Sequence, residues 1–152
     1  MTCHCIRCRE YGHRAAAGWK MGEPVLTRLD YQASGGNEIF LSFEDERETL
    51  FGLLRLRIQS EAIPVSGLEN TSPAAIIREL HVYGPEVALK EQSPDAAQHK
   101  GLGKALILEA ERIAREEFKA PQMLILSGVG AREYYRAEFG YHLAGDYMAK
   151  QL

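Results

Sequence analysis

The chain has 152 residues and a mass of 17.0 kDa, one domain's worth of sequence with enough length to bury a real core. Hydrophobic residues at 45% and charged residues at 26% lie in the soluble globular range, which excludes wholesale disorder. A net charge of -3 excludes a uniformly basic nucleic-acid-coating surface, although a local basic patch remains open.

The first fourteen residues, MTCHCIRCREYGHR, differ from the rest. They carry all three cysteines, Cys3, Cys5 and Cys8, together with His4, His13, Arg7, Arg9 and Arg14. Cysteines this close cannot staple a core, so a reducing cytoplasmic setting and a metal are the better reading. Three thiolates at this spacing suit a tetrahedral zinc, which takes a further cysteine or histidine. His13 is the expected fourth ligand; His4 is sterically poor between two ligands, and His81 is a more distant option. The zinc would be structural, folding residues 1–14 into a metal-nucleated loop that is basic on the outside. Arg7, Arg9 and Arg14 are then placed either on nucleic-acid phosphates or on a solvated or interdomain surface. No apolar run approaches the ~20 residues of a membrane span, and cysteines and arginines stand where a signal peptide would be apolar.

Residues 15–23 are small and flexible in composition, with Trp19 and Met21 as anchors. Alternating patterns over Val25–Ala33, Glu38–Glu44 and Thr49–Ile58 predict three antiparallel strands. Ser34-Gly35-Gly36-Asn37 is a hairpin signal between the first two, and the acidic run Glu44–Glu48 turns the chain before the third. Residues 59–75, with Pro64, Gly67, Asn70, Ser72 and Pro73, read as a surface loop. Ile76–Tyr83 is a strand, and Pro85–Ala97 a second long loop. A helical pattern runs from Leu102 to about Phe118, with Leu102, Ala105, Leu106, Ala110, Ile113 and Ala114 on one face and Glu111 and Arg115 spaced as an ion pair. Met123–Leu126 reads as a central parallel strand. Arg132–Phe139 is a short helix, and Tyr141–Gln151 a final strand.

Chemistry gathers at Gln98-His99-Lys100-Gly101-Leu102-Gly103-Lys104, where glycines free backbone N–H groups just ahead of the long helix. The helix N-terminus adds partial positive charge, so the turn suits a pyrophosphate. The Walker loop and the dinucleotide fingerprint are both excluded by glycine spacing. Q-x-x-G-x-G instead resembles the coenzyme A pyrophosphate loop of the GCN5-related N-acetyltransferases (GNATs). Their order of elements also matches, down to the tyrosine-bearing helix Ala131-Arg132-Glu133-Tyr134-Tyr135 closing in Phe139-Gly140-Tyr141. The resemblance implies a mixed α/β sheet, antiparallel in its N-terminal half and flanked by helices. It implies coenzyme A contacts from Gln98, His99, Lys100, Gly101, Leu102, Gly103 and Lys104 and from the strand residues Leu80, His81 and Val82. It also implies a tyrosine that protonates the leaving thiolate. Tyr135 is favoured by counting from Gly130, with Tyr134 second. Two departures stand out. Tyr135 to Gly140 is one residue longer than the usual interval, and thirteen residues, Pro85–Ala97, precede the Gly-rich turn.

A narrower resemblance covers essentially the whole chain. It rests on C-x-C-x-x-C-R-E-x-G-H-R from Cys3, R-L-D-Y-x-A-S-x-G-x-E from Arg28 and R-E-L-H-V-Y-G from Arg78. Ser127-Gly128-Val129-Gly130 and Gly145-x-Tyr147-Met148 add to it. Together these are similar to the C-terminal acetyltransferase half of the Elongator catalytic-subunit family. The resemblance implies acetyl-coenzyme A as carbon source for a carboxymethyl-type modification of the tRNA wobble uridine. It places tRNA and other Elongator subunits as partners. It also implies a radical S-adenosylmethionine domain with an iron–sulfur cluster on C-x-x-x-C-x-x-C, a spacing that Cys3, Cys5 and Cys8 do not have. That domain is expected to be missing here, Met1 to be an engineered start, and the fragment to be inactive alone. The expected division is a zinc-binding linker over 1–14 and the acetyltransferase domain over 15–152. Pro85–Ala97 is expected to gate the thioester channel, held by Lys90 and Glu91. Alternatives are a lysine (histone) or other amine N-acetyltransferase, with Glu79 as base or merely ion-paired to Arg78, and an acetyl-coenzyme A binding module without turnover.

Overall fold

The structure is a computed structural model that describes residues 3–83 and 101–152. Two short helices, α1 (Ile6–Arg9) and α2 (Tyr11–Ala16), precede β1 (Val25–Ala33), β2 (Gly36–Glu44), β3 (Leu50–Gln59) and β4 (Ala74–Val82). Then follow α3 (Leu102–Arg112), β5 (Gln122–Leu126), α4 (Arg132–Phe139), β6 (His142–Ala144) and β7 (Tyr147–Gln151). They build one seven-stranded sheet in the order β1-β2-β3-β4-β5-β7-β6. Only β4 and β5 run parallel, and every other neighbour pair is antiparallel. This is the mixed α/β architecture expected. The hairpin turns on Ser34 and Gly35, both at positive φ, as its sequence requires.

Alternation along the strands decides the two faces. Ile39 and Leu41 of β2, Leu54, Leu56 and Ile58 of β3, and Ala75 and Ile77 of β4 form the buried face beneath α3. α3 answers with Leu106, Ile107, Ala110 and, just past its end, Ile113 and Ala114. A smaller cluster on the other face joins Ile76, Leu124 and Ala149 to Val65, with Ile63 and Leu68 packed on it. The loop at 60–73 is therefore a cover for apolar surface as well as a connection.

The fold departs from expectation in three places. The predicted helix to Phe118 is α-helical only to Arg112 and continues as a π turn over Ile113–Glu117. Glu111, four residues after Ile107 on the buried stripe of α3, meets Tyr141 and Lys150 rather than Arg115; Arg115, within the π turn, pairs with Glu116. The final strand is a β6–β7 hairpin, broken at Gly145, whose φ of +56° suits glycine. The sheet also opens earlier than Tyr83. β4 pairs with β5 only through Ala75, Ile76 and Ile77, and β3 opposes β4 with an extra residue, Arg78, between Ile77 and Glu79. Such a bulge bends its strand. Residues 79–82 thus swing away from β5 and leave a wedge-shaped opening.

The N-terminal segment is helical rather than a loop, and two of its arginines point inward. Arg14 is buried and donates to the Cys8 and Arg47 carbonyls and to Thr49 Oγ1 (2.9 Å). Arg9 donates to the Glu48 carbonyl and pairs with Glu44. Both are consumed by the β2–β3 turn, so neither is free for a phosphate; Arg7 stays exposed. Asp45 fixes the same turn. Burial pushes its carboxyl up, but the amides of Gly22, Thr49 and Arg47 outweigh this and hold it below the usual carboxylate range. A depressed folded pKa gives stability that is complete above the unfolded value, near ~4, and is lost as pH falls through the folded one. Asp45→Asn should cost about 1–2 kcal/mol at pH 7. In urea titrations that deficit should shrink as pH falls below about 4, where the unfolded carboxyl takes up its proton and the folded one follows only at lower pH.

Candidate active site

The wedge between β4 and β5 faces the N-terminus of α3. Gly101 caps that helix at φ +91°, a backbone that only glycine adopts without strain, and no side chain among the described residues caps the first-turn amides. The first turn holds no acidic residue, and Lys104 is exposed. A Cβ on Gly101 would meet nothing within 4 Å. On Gly103 it would lie 3.2 Å from Val82 Cγ2 and 3.8 Å from the Tyr134 hydroxyl. The second glycine is therefore the one that lets helix, strand end and tyrosine close on one another. Leu102 is buried and lines, with Met21, Gly22, Glu23 and Pro24, a cavity of about 450 Å³ beside the same helix end.

The two adjacent tyrosines separate by role. Tyr135 is 7% exposed and belongs to the core, with its ring edge-on to Tyr134 at 5.5 Å and to Tyr141 at 6.2 Å. Tyr134 is 42% exposed and packs edge-on to Phe139 at 5.4 Å, with its hydroxyl near Gly103 at the wedge. Desolvation, then the charge of Glu138, raises the Tyr134 phenol, so it stays protonated at neutral pH. Counting from Gly130 ranks Tyr135 first; the geometry favours Tyr134.

Beyond the bulge, Leu80 and Val82 turn toward α3, while Glu79 and His81 share the opposite face. Glu79 does not pair with Arg78. Its Oε2 lies 3.0 Å from Arg55 Nε and its Oε1 3.2 Å from His81 Nε2. Arg78 instead reaches Glu38, which it shares with Arg57. His81 stacks on Tyr83 and stands apart from the cysteines.

The thiol sulfurs of Cys3, Cys5 and Cys8 all lie within 4.8 Å of one another. A tetrahedral zinc with Zn–S bonds of about 2.3 Å spaces its sulfurs about 3.8 Å apart, so the three thiols fit one face of such a site. Contacts with Cys3 and Cys5 push the Cys8 thiol up to about 11, and the Cys8 amide, then the Cys3 thiol, pulls Cys5 down. His13 stands outside the thiol group but lines, with Cys3 and Cys8, an adjoining cavity of about 190 Å³. His4 contacts Glu48.

Gln98, His99, Lys100 and the loop Pro85–Ala97, with Lys90 and Glu91, lie outside the described residues. Sequence reasoning missed the Glu111–Tyr141–Lys150 cluster beneath the tyrosines. The signal was present: Glu111 falls between Ala110 and Ile113 on the apolar stripe of α3.

An open mixed sheet with a bulged fourth strand, a parallel β5 and a glycine-entered helix at the wedge is a GNAT-like acetyltransferase fold. A protein of Dehalococcoides mccartyi (strain CBDB1) named tRNA uridine(34) acetyltransferase is 59% identical over 150 residues, covering 99% of this chain and 32% of the relative. Elongator complex protein 3 of Mus musculus is 45% identical over 157 residues, covering all of this chain and 28% of the relative. A solved structure of archaeal Methanocaldococcus infernus Elp3, lacking its N-terminus, superposes with a TM-score of 0.82 at 46% identity, over 99% of this chain and 35% of that one. No family model matches. The chain belongs to the family of proteins named tRNA uridine(34) acetyltransferase and Elongator complex protein 3, and it spans about a third of the length of these relatives.

Proposed function

We propose that this chain is the part of such an enzyme that binds acetyl-coenzyme A and cleaves its thioester. The acetyl group would serve a carboxymethyl-type modification of the tRNA wobble uridine. The observation that carries the reading is the meeting of the Tyr134 hydroxyl, Gly103 and Val82 at the mouth of the β4–β5 wedge. Past Ile77 the β5 side of β4 has no strand partner among the described residues, and its peptide groups would meet the pantetheine and the thioester carbonyl. The first-turn amides of α3, with Lys104, would take the pyrophosphate next to Gln98, His99 and Lys100. Tyr134, protonated at neutral pH, would give its proton to the departing thiolate. Residues 15–152 form the acetyltransferase domain in this reading, and residues 1–14 a zinc-bearing linker. tRNA, other Elongator subunits and a radical S-adenosylmethionine domain elsewhere in the parent protein are its partners, in the cytoplasm.

The cofactor assignment is tested by calorimetry with acetyl-coenzyme A. Gly101→Val strains the left-handed cap and places methyl groups where the backbone must approach the pyrophosphate. Affinity should fall more than tenfold, and an unchanged value rejects the turn as the pyrophosphate site.

Zinc, held by Cys3, Cys5, Cys8 and His13, would tie α1 to α2 in a segment too short for a core of its own. Elemental analysis should return one zinc per chain. Chelation should expose the bonds near Arg9 and Arg14 to trypsin while the sheet persists. A folded, trypsin-resistant segment without metal rejects the structural role. Metal retained in His13→Ala rejects only the fourth ligand.

A further inference from the structure

We infer that His81, oriented by Glu79, is the base that activates water against the thioester. The inference rests on the acetyl-coenzyme A reading above and adds a catalytic residue to it. Glu79 and His81 lie two residues apart beyond the bulge, on the face of β4 turned away from α3, and His81 Nε2 is 3.2 Å from Glu79 Oε1. The intervening face carries Val82 toward Gly103 and the Tyr134 hydroxyl. This end of β4 thus has the Tyr134 hydroxyl of α4 near one face, beside Val82, and an imidazole of its own on the other. Thioester cleavage needs that division. The nucleophile must approach the carbonyl from one side while the sulfur, leaving on the other, is met by a proton.

The groups around His81 favour the imidazole over the carboxylate as base. Both oxygens of Glu79 are engaged, one by His81 and the other by Arg55 from β3. With Nε2 3.2 Å from the Glu79 carboxylate, Nδ1 is the ring nitrogen left to meet a water molecule. The ring is fixed by stacking on Tyr83, centroids 6.0 Å apart and 11° from parallel, yet the side chain is 54% exposed and open to water. Among the described residues, Glu10, near Tyr83, and Arg78, turned to Glu38, are further charged groups in this neighbourhood.

The step balances. A water molecule gives one proton to His81 Nδ1 as its oxygen bonds to the thioester carbon. The C–S bond breaks with its electron pair on sulfur, and Tyr134 protonates the thiolate. The imidazolium proton returns to the tyrosinate through solvent, and where the acetyl group is not passed to the uridine the products are coenzyme A and acetic acid, which loses its remaining proton to solvent as acetate.

The test is acetyl-coenzyme A hydrolysis, with tRNA present, by the complete protein that carries this chain. His81→Ala should lower kcat about 10²- to 10³-fold with KM within threefold of wild type. Added imidazole should restore at least tenfold of the lost rate, a response that a merely structural histidine would not give. His81→Gln keeps an amide toward Glu79 without a base and should be equally slow, which covers the case where the alanine variant fails to fold. A kcat within threefold of wild type, or a folded His81→Ala deaf to imidazole, overturns the assignment. If the wild-type protein itself neither binds nor cleaves acetyl-coenzyme A, the parent reading fails instead.

Discussion

Tyr134→Phe should lower acetyl-coenzyme A cleavage by about 10²-fold while leaving the affinity for coenzyme A within threefold, because it deletes a proton donor and keeps a ring. The ring contacts with Tyr135 at 5.5 Å and Phe139 at 5.4 Å survive the change, so α4 should stay in place. Tyr135→Phe is the control. Its hydroxyl sits on a side chain that is part of the core, and its loss should change turnover less than threefold and stability by about 1 kcal/mol or less. Single-turnover cleavage with both variants separates the two tyrosines directly. If the 135 variant is the slow one, the geometric preference is wrong and the count from Gly130 is right.

The choice between the two tyrosines shows where the sequence stops being informative. Tyr134 and Tyr135 are neighbours on a helix of eight residues, and 100° of rotation decides which one meets the core. Two adjacent tyrosines do not by themselves fix that rotation. It is set by Phe139, four residues after Tyr135, and by Tyr141, which pack the same side. The strands were more legible because a period of two leaves only two choices, and Ile39, Leu41, Leu54, Leu56 and Ile58 all vote for the same face. The bulge at Arg78 left no such trace. R-E-L-H alternates no worse than its neighbours, and only pairing with β3 reveals that one residue is extra. The cysteines were legible for the opposite reason, since three sulfurs within six residues cannot avoid one another. Arg9 and Arg14 read as surface charge, and their inward use depended on carbonyls of a turn more than 30 residues away.

The largest expected loss of stability comes from Glu111, whose carboxylate accepts from the Tyr141 hydroxyl at 2.8 Å and from Lys150 Nζ at 2.9 and 3.0 Å. Burial, then the negative charge of Glu111, raises the Tyr141 phenol well above its ordinary value, so it remains a donor throughout the accessible pH range. Glu111→Ala strands that hydroxyl and removes the counter-charge of Lys150, whose side chain is 29% exposed and only partly able to reach water. A cost of about 3 kcal/mol follows, at the low end for breaking a buried pair because of that partial access. For a chain of this size it corresponds to a fall in Tm of about 6–12 °C. Glu111→Gln keeps an acceptor for Tyr141 and should lose about half as much. The effect should reach the active site through a stack of rings, since Tyr141 packs on Tyr135 and Tyr135 on Tyr134. Turnover in Glu111→Ala should therefore fall before global unfolding sets in. Glu111→Leu combined with Lys150→Met should recover the part of the loss that comes from the unpaired lysine, because apolar side chains of similar volume replace a buried pair at little net cost, but not the part from the stranded Tyr141 hydroxyl. Recovery of stability without recovery of turnover would place the Tyr141 hydroxyl, still unpartnered in the double variant, as the contact that sets the tyrosine stack.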